Sequence, residues 1–354
     1  MKLKINKTFI GNNYPTYFIA DIAANHNGSL KKAKKLIRLC ALAGANAAKF
    51  QHFKAETIVS DYGFKRIKKL THQKKWKKSV FQVYKEASIN PGWNIELKKT
   101  CQRYNIDFMT SPYDLDYVDE VDKYISAFKI GSGDITWIEI IQKIAKKKKV
   151  VILATGASNN KDVIRAVNSI KKINKKIVLM QCNTNYTADQ DNLKHLNLNV
   201  LNSYKKQFGK SVILGLSDHT LGHLSVLGAV AMGARVVEKH FTDDNYQNGP
   251  DHKFSMNPRT WKKMVDETRI LESALGDGIK KIEKNERKSI IVQRRSIRAK
   301  KNIKKGSLIK KSMLINLRPI TNSGISPYEM DKIINKKTKT NIKAQEELTW
   351  KKIK

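Results

Sequence analysis

Short apolar runs and longer amphipathic stretches alternate along most of this chain. The runs are rich in β-branched residues and predict eight strands, at 17–24, 47–51, 106–111, 127–132, 150–155, 177–183, 212–217 and 236–240. The stretches repeat apolar residues at helical spacing and predict helices at 30–43, 94–103, 115–124, 137–145, 161–173, 189–208, 221–232 and 258–275. Eight strand–helix units over about 275 residues predict an α/β fold, a (β/α)8 TIM barrel. A doubly wound open sheet is the alternative, but it normally uses fewer strands, and no GxGxxG motif follows the first run.

Two segments depart from this alternation. Residues 53–91 are long for a connection, and we interpret them either as a lid over the barrel or as a surface excursion with one packed helix at 78–86. After residue 275 the pattern changes to a charged linker, 279–291, and then to short strands and turns. We therefore expect a barrel domain over 1–278 and a small second domain over 292–354, which needs a further surface to pack against.

Polar residues recur where the predicted strands end. In a barrel of this kind, active-site residues come from the carboxyl ends of the strands. His219 and His240 end the seventh and eighth strands, and two imidazoles from neighbouring strands can hold a divalent metal with open coordination positions. A pair of hydrogen-bonded structural histidines is the alternative. The other polar residues near strand ends are Asp21, Lys49, Gln51, Thr110, Lys129, Ser132, Asp134, Ser217, Asp218 and Glu238.

Composition limits the function classes. The chain has 354 residues, 40% of them hydrophobic, and a formal net charge of +38. That charge invites a nucleic-acid-binding hypothesis, but the lysines are spread over the whole chain instead of forming one patch. No run approaches the roughly 18 apolar residues of a membrane helix, the N-terminus lacks a secretory signal, and three distant cysteines form no disulfide framework. We expect a cytoplasmic protein that binds neither nucleic acid nor membrane.

Taken in chain order, nine short motifs resemble those of the sialic acid synthases. That family condenses phosphoenolpyruvate with an N-acylated amino sugar, and the resemblance implies a TIM barrel followed by an antifreeze-like SAF domain that swaps across a homodimer. The motifs are ADIAANHNG at 20–28, KFQ at 49–51, TSP at 110–112, KIGSGD at 129–134, ATGAS at 154–158, GLSDHT at 215–220, EKHFT at 238–242, GPDH at 249–252 and LRP at 317–319.

The resemblance also assigns roles to individual residues. His219 and His240 would ligate Mn²⁺ or Mg²⁺, and Lys49 and Lys129 would bind phosphoenolpyruvate, unless these lysines only form salt bridges to Asp134 or Glu238. The hydroxyl donors beside phosphoenolpyruvate would be Thr110, Ser132, Ser158 and Ser217, and the sugar contacts would be Asp21, Tyr186, Asp251 and, from the partner subunit's tail, Arg318.

Two departures from the family pattern concern acids. Asp21 and Asp134 stand where many relatives have glutamate, which withdraws each carboxylate by roughly 1.3 Å. Either the site has contracted around a different substrate, or one acid only orients a neighbour. The segment 181–186 also differs from the commoner versions. We interpret His26 as a loop hydrogen-bonding residue and His72 as structural or solvated.

Three functions remain open at this point. The first is condensation of phosphoenolpyruvate with an N-acylmannosamine-type sugar by a metal-dependent synthase. The second is the same chemistry on a diacetamido sugar, giving a legionaminic or pseudaminic acid. The third is a binding protein that has kept the barrel but lost turnover through the two shortened acids.

Overall fold

The computed structural model describes residues 1–67, 70, 73–74 and 76–354. His72 lies outside the described residues, so its interpretation stays a prediction. The described chain forms two compact units, Met1–Gly276 and Asp277–Lys354. None of the helices in the described part of the chain is long and apolar enough to cross a membrane.

Eight parallel strands close into a barrel in the first unit, which confirms the predicted fold class. In chain order they are β3 (Tyr17–Asp21), β4 (Ala47–His52), β5 (Asp107–Pro112), β6 (Ala127–Ile130), β7 (Val150–Ala154), β8 (Ile177–Cys182), β9 (Ile213–Asp218) and β10 (Val236–His240). Each strand pairs with the next, and β10 pairs with β3 to close the ring. Nearly every residue of these strands is buried, as expected of a sheet covered on both faces.

Helices cover the outside of the barrel. They are α1 (Leu30–Leu42), α5 (Asn94–Arg103), α6 (Leu115–Asp122), α7 (Ile138–Lys146), α8 (Asn160–Lys171), α9 (Val200–Phe208), α10 (Leu224–Ala231) and α11 (Pro258–Leu275). Ser29 caps α1 by accepting from the Lys32 amide, and Asn257 with Pro258 starts α11. Their apolar faces form the outer core against strand residues such as Phe18 and Leu216.

An N-terminal hairpin, β1 (Lys2–Ile5) and β2 (Thr8–Gly11), was not predicted. Its residues Leu3, Ile5 and Ile10 pack into the inner core with Tyr17 and Ile19 of β3. The hairpin therefore lies against the amino-terminal end of the barrel and leaves the carboxyl end of the strands for the site.

Two of the predicted elements differ from the structure. The single helix expected over 189–208 is a 3-10 helix, Gln190–His195, followed by α9, because Asn197 between them adopts a left-handed conformation with φ 49°. The described residues of the 53–91 segment include three short α-helices, α2 (Ala55–Ile58), α3 (Asp61–Ile67) and α4 (Val80–Ala87). The last of them is the helix predicted at 78–86.

The second unit is built from short elements around a core of aliphatic residues such as Ile297, Ile325 and Leu348. The antiparallel strands β11 (Ser296–Ala299) and β12 (Leu314–Leu317) pair within it, and α13 (Met330–Ile333) packs against the same core. Part of the segment expected to be a linker is helical, as α12 (Arg287–Gln293).

Candidate active site

A cavity of about 530 Å³ opens at the carboxyl ends of the barrel strands. Because parallel strands present their last inward-facing side chains at one mouth, motifs far apart in sequence meet there. Ten of the residues predicted for the site line this cavity: Asp21, Lys49, Lys129, Ser132, Asp134, Tyr186, Ser217, His219, His240 and Asp251.

Lys49 is a fully buried cation at the floor of this cavity. Its Nζ lies 2.7 Å from Asp21 Oδ2, and both side chains are 2% exposed. Burial opposes the charge, but Asp21 and Glu238 outweigh it and raise the pKa of Lys49. Asp21 also accepts from Gln51 Nε2 at 3.1 Å and from the Ala23 amide at 3.1 Å. The shortened acid therefore holds Lys49 and Gln51 in place, and the hypothesis that it only orients its neighbours stays a prediction.

Glu238 is the carboxylate that the two lysines share. Its Oε1 lies 3.7 Å from Lys49 Nζ and 3.3 Å from Lys129 Nζ, and it accepts from Ser217 Oγ at 3.3 Å. From the sequence, Glu238 is expected near a strand end and as an alternative partner for the lysines, without a role toward the substrates. Glu238 lies two residues before His240 on β10. Because side chains alternate between the two faces of a strand, both residues point into the same cavity, and this spacing was the signal in the sequence.

The two histidines lie side by side, with ring centroids 5.4 Å apart. His219 Nδ1 is 2.9 Å from the Asn183 carbonyl oxygen, so Nδ1 carries a proton, and Nε2 has a lone pair in the neutral form of the ring. Burial, reinforced by His219 and Lys49, lowers the pKa of His240 well below 6.5, so this ring is neutral. Its Nδ1 is buried without a hydrogen-bond partner, and its Nε2 is 3.6 Å from Asp21 Oδ2.

This donor set fits a divalent cation that keeps open positions. Neutral imidazoles can ligate a divalent transition-metal ion, and Asp21 supplies a nearby carboxylate, the type of donor that suits Mn²⁺ and Mg²⁺. Within the described ranges, no group of three or more His, Cys, Asp or Glu side chains forms a complete cation site.

Cys182 Sγ lies 3.9 Å from His219 Nδ1. Burial opposes charge on both groups, but their mutual attraction lowers the pKa of Cys182 and raises that of His219.

Burial raises the pKa values of two further carboxyl groups in the cavity. Burial raises the pKa of Asp134 to about 6, and Lys129 opposes that shift. Burial also raises the pKa of Asp251 to about 6; the Ala24 amide, which donates to its Oδ2 at 3.2 Å, opposes the shift, and the negative charge of Asp21 adds to it. Carboxyl groups that titrate near neutral pH can exchange protons with a substrate.

Two predicted phosphoenolpyruvate contacts lie outside the cavity lining. Thr110 faces the outside of the barrel wall, where its hydroxyl donates to the Phe50 carbonyl at 3.0 Å and lies 2.7 Å from His52 Nδ1. Side chains alternate along a strand, so Ser111 faces inward instead, with its Oγ 3.4 Å from Lys49 Nζ. The Ser158 hydroxyl donates to the Thr155 carbonyl at 2.7 Å. The prediction for Thr110 is wrong because its hydroxyl faces away from the cavity, and the prediction for Ser158 stays a prediction.

Arg318 belongs to the second unit, where it is exposed. Its predicted reach across a dimer stays a prediction.

Aromatic residues form the outer wall of the site, and most of them were not predicted. Tyr186 packs on His219 with ring centroids 4.4 Å apart, and Phe254 contacts His240 at 4.9 Å. A second cavity of about 670 Å³ shares six of the described lining residues with the first: Ala24, Trp76, Val83, Ala87, Tyr186 and Pro250. Trp76 and Tyr84 come from the 53–91 segment. That segment therefore contributes residues to the mouth of the cavity, and its interpretation as a lid stays a prediction.

The comparisons with known proteins agree with this geometry. The sequence profile of the NeuB family matches residues 36–280. This chain belongs to the NeuB family. A SAF domain matches residues 294–354, within the second unit. The resemblance to sialic acid synthases is thereby confirmed.

NeuB-family relatives span nearly the whole chain. The N,N'-diacetyllegionaminic acid synthase of Campylobacter jejuni is 39% identical over 339 residues, covering 94% of this chain and 98% of that protein. The pseudaminic acid synthase of the same species is 33% identical, covering 92% and 93%. The N-acetylneuraminic acid synthetase of Leptospira borgpetersenii, solved in complex with citrate, has a TM-score of 0.72 and 28% identity over 82% of this chain and 95% of its own.

Proposed function

We propose that this chain is a nonulosonic acid synthase that condenses phosphoenolpyruvate with an N-acylated amino sugar and releases phosphate. The observation that carries the proposal is the joint placement of two buried lysines, four carboxyl groups and two neighbouring histidines in one barrel mouth. A highly charged anion needs fixed cations, and a condensation needs groups that hold protons beside a carbonyl.

Phosphoenolpyruvate fits the inner part of the cavity. Lys49 and Lys129 are buried ammonium groups, 2% and 3% exposed, and they stay in place without a ligand because Asp21 and Glu238 hold them. Ser217 and Ser132 add hydroxyl groups, and Ser132 Oγ is already fixed by accepting from the Gly156 amide at 2.9 Å. Preorganised cations and donors of this kind stabilise charge without reorganising during the reaction.

The proposed reaction joins phosphoenolpyruvate to the sugar and releases inorganic phosphate. Carbon 3 of phosphoenolpyruvate forms a bond to the aldehyde carbon of the open-chain sugar, whose oxygen becomes a hydroxyl by taking a proton. Water adds at carbon 2 and loses one proton; the C–O bond to phosphate then breaks as the new hydroxyl gives its remaining proton to the leaving phosphate, which leaves a ketone and inorganic phosphate. Asp134 and Asp251 line the same cavity, and burial raises their pKa values to about 6, so they are the groups proposed to exchange these protons. When bound by His219 and His240, a divalent cation such as Mn²⁺ or Mg²⁺ would polarise the aldehyde.

The sugar fits the outer part of the cavity. Asp251 and Tyr186 line it next to the histidines and can contact hydroxyl and N-acyl groups. In a domain-swapped homodimer, Arg318 of the partner subunit would complete this side. We place the reaction in the cytoplasm, since the cysteines Cys40, Cys101 and Cys182 are all free and buried, as in a reducing compartment.

The first candidate sugar is an N-acylmannosamine. A diacetamido sugar is the second candidate, favoured by the 39% identity to a diacetyllegionaminic acid synthase and by the second cavity beside the first. The test is phosphate release from phosphoenolpyruvate with a panel of both sugar types, with and without Mn²⁺. Intact phosphoenolpyruvate binding with no phosphate release from any sugar would instead identify a binding protein.

A matched pair of variants tests the metal role within the same assay. His219→Ala with His240→Ala should lose metal-dependent phosphate release, whereas Thr110→Val, altered behind the barrel wall, should keep it. Phosphate release at the wild-type rate from the double histidine variant in EDTA would show that the metal assignment is wrong.

A further inference from the structure

A second buried ion pair lies directly behind the two histidines. Asp218 and Lys239 immediately precede His219 and His240, and they are paired in register between β9 and β10. Asp218 Oδ2 and Lys239 Nζ are 2.5 Å apart, and the side chains are 0% and 1% exposed. Neither residue lines the cavity, because the alternation along each strand turns them to the outer face of the wall.

The pair holds the loop that carries His219. Asp218 Oδ1 accepts from the Thr220 amide at 2.9 Å, and Lys239 Nζ donates to the Thr220 carbonyl at 2.7 Å. Asp218 Oδ2 also accepts from Ser225 Oγ, at the start of α10, at 2.5 Å. His219 is thus flanked on both sides by residues of one hydrogen-bonded network, and that network is anchored at the residue next to His240.

Stability alone does not explain why a charged pair occupies this buried position. A buried ion pair can often be replaced by neutral side chains without loss of stability, because removing both charges from water is unfavourable. Two imidazoles that share an ion, however, need main-chain positions held within about 0.5 Å. A short ion pair between adjacent strands, bonded to the loop of one histidine and adjacent to the other, supplies that constraint.

We propose that Asp218 and Lys239 are positioning residues that keep His219 and His240 at the separation at which both can bind one divalent cation. The proposal rests on the metal role proposed for the histidines. It assigns to the GLSDHT and EKHFT motifs a second function, carried by the side chains that point away from the substrate.

The test is Mn²⁺ affinity, measured by the electron paramagnetic resonance signal of free Mn²⁺ in titrations of the purified protein. Asp218→Asn combined with Lys239→Met removes both charges and leaves neither buried charge unpaired. We expect its Mn²⁺ affinity to fall about tenfold to a hundredfold, as when the groups that orient metal ligands are removed. A high concentration of Mn²⁺ should restore phosphate release by the double variant. A protein that had lost its fold would not be rescued by added Mn²⁺. Ser225→Ala, which removes one contact of Asp218 and keeps both charges, is the milder variant and should show a smaller loss.

Tyr17→Phe is the matched control. It removes a buried hydrogen bond to Asp107 toward the opposite end of the barrel and should leave Mn²⁺ affinity unchanged. Nitrogen-15 histidine spectra provide a readout that needs no metal: the His219 Nδ1–H signal should be sharp in the wild type and broadened in the double variant. His52 and His252 should be unchanged.

The outcomes separate the two proposals. If the wild type binds no Mn²⁺, the metal role fails, and the histidine spectra alone decide whether the pair positions the rings. If the double variant binds Mn²⁺ within twofold of the wild type and keeps the sharp His219 signal, the positioning proposal is overturned.

Discussion

Replacing Asp134 with asparagine should stabilise the fold and abolish turnover. Burial raises the pKa of this carboxyl from 3.8 to about 6, which means that its ionised form is less favourable in the folded state than in the unfolded one. A difference of about 2 pKa units corresponds to roughly 3 kcal/mol. Asparagine has the same shape without the charge, so it should recover up to that amount at neutral pH.

The stability advantage of Asp134→Asn should depend on pH. A raised carboxyl pKa contributes stability that is fully present below pH 3.8 and is lost as the pH rises through about 6. Asp134→Asn should therefore match the wild type near pH 3.8, exceed it progressively up to about pH 6 and keep a constant advantage above pH 7. The measurement is the free energy of unfolding by urea at five pH values. Asp191→Asn, at a side chain that is 70% exposed, is the control and should show no such trend.

Two results would refute this reasoning. A variant that is less stable than the wild type at every pH would show that the carboxylate makes favourable contacts that burial does not outweigh. A variant that keeps wild-type phosphate release would show that Asp134 exchanges no proton in the reaction. Increased stability combined with lost activity would identify a functional group kept at a cost in stability.

Three other predictions follow from particular contacts. Lys129→Met should raise the KM for phosphoenolpyruvate at least tenfold, because it removes one of two buried cations; an unchanged KM in steady-state kinetics would exclude this residue from the anion site. Thr110→Val should lower the free energy of unfolding by about 1–3 kcal/mol through its bonds to His52 and Phe50, yet leave that KM within twofold. Any binding of DNA through the +38 surface should weaken steeply in a gel shift as salt rises, because phosphate contacts release counterions; binding that did not weaken with salt would count against binding through that surface.

The barrel could be predicted because its signal is local and repeated. A strand buried on both faces needs a continuous apolar run, and each covering helix needs apolar residues at helical spacing, so both periods are visible in the chain. This reasoning failed where a single residue or a contact distant in the chain determines the secondary structure. Asn197 interrupts a helical pattern through its left-handed backbone, and the N-terminal hairpin is stabilised only by the barrel end that it covers.

The sequence by itself determined which chemical groups reach the mouth of the barrel, since the polar residues stand at strand ends and the strands are parallel. It named ten of the residues that line the cavity, including both lysines and both histidines. Only the tertiary structure decided which groups are partners. Glu238 lies between Lys49 and Lys129, Asp21 holds Lys49, and Thr110 points outward while Ser111 points inward. The physical reason is one of precision. The sequence locates a strand end to within a residue or two, but a difference of one residue moves a side chain to the other face of the sheet. Ion pairs, in addition, form between strands that are distant in the chain.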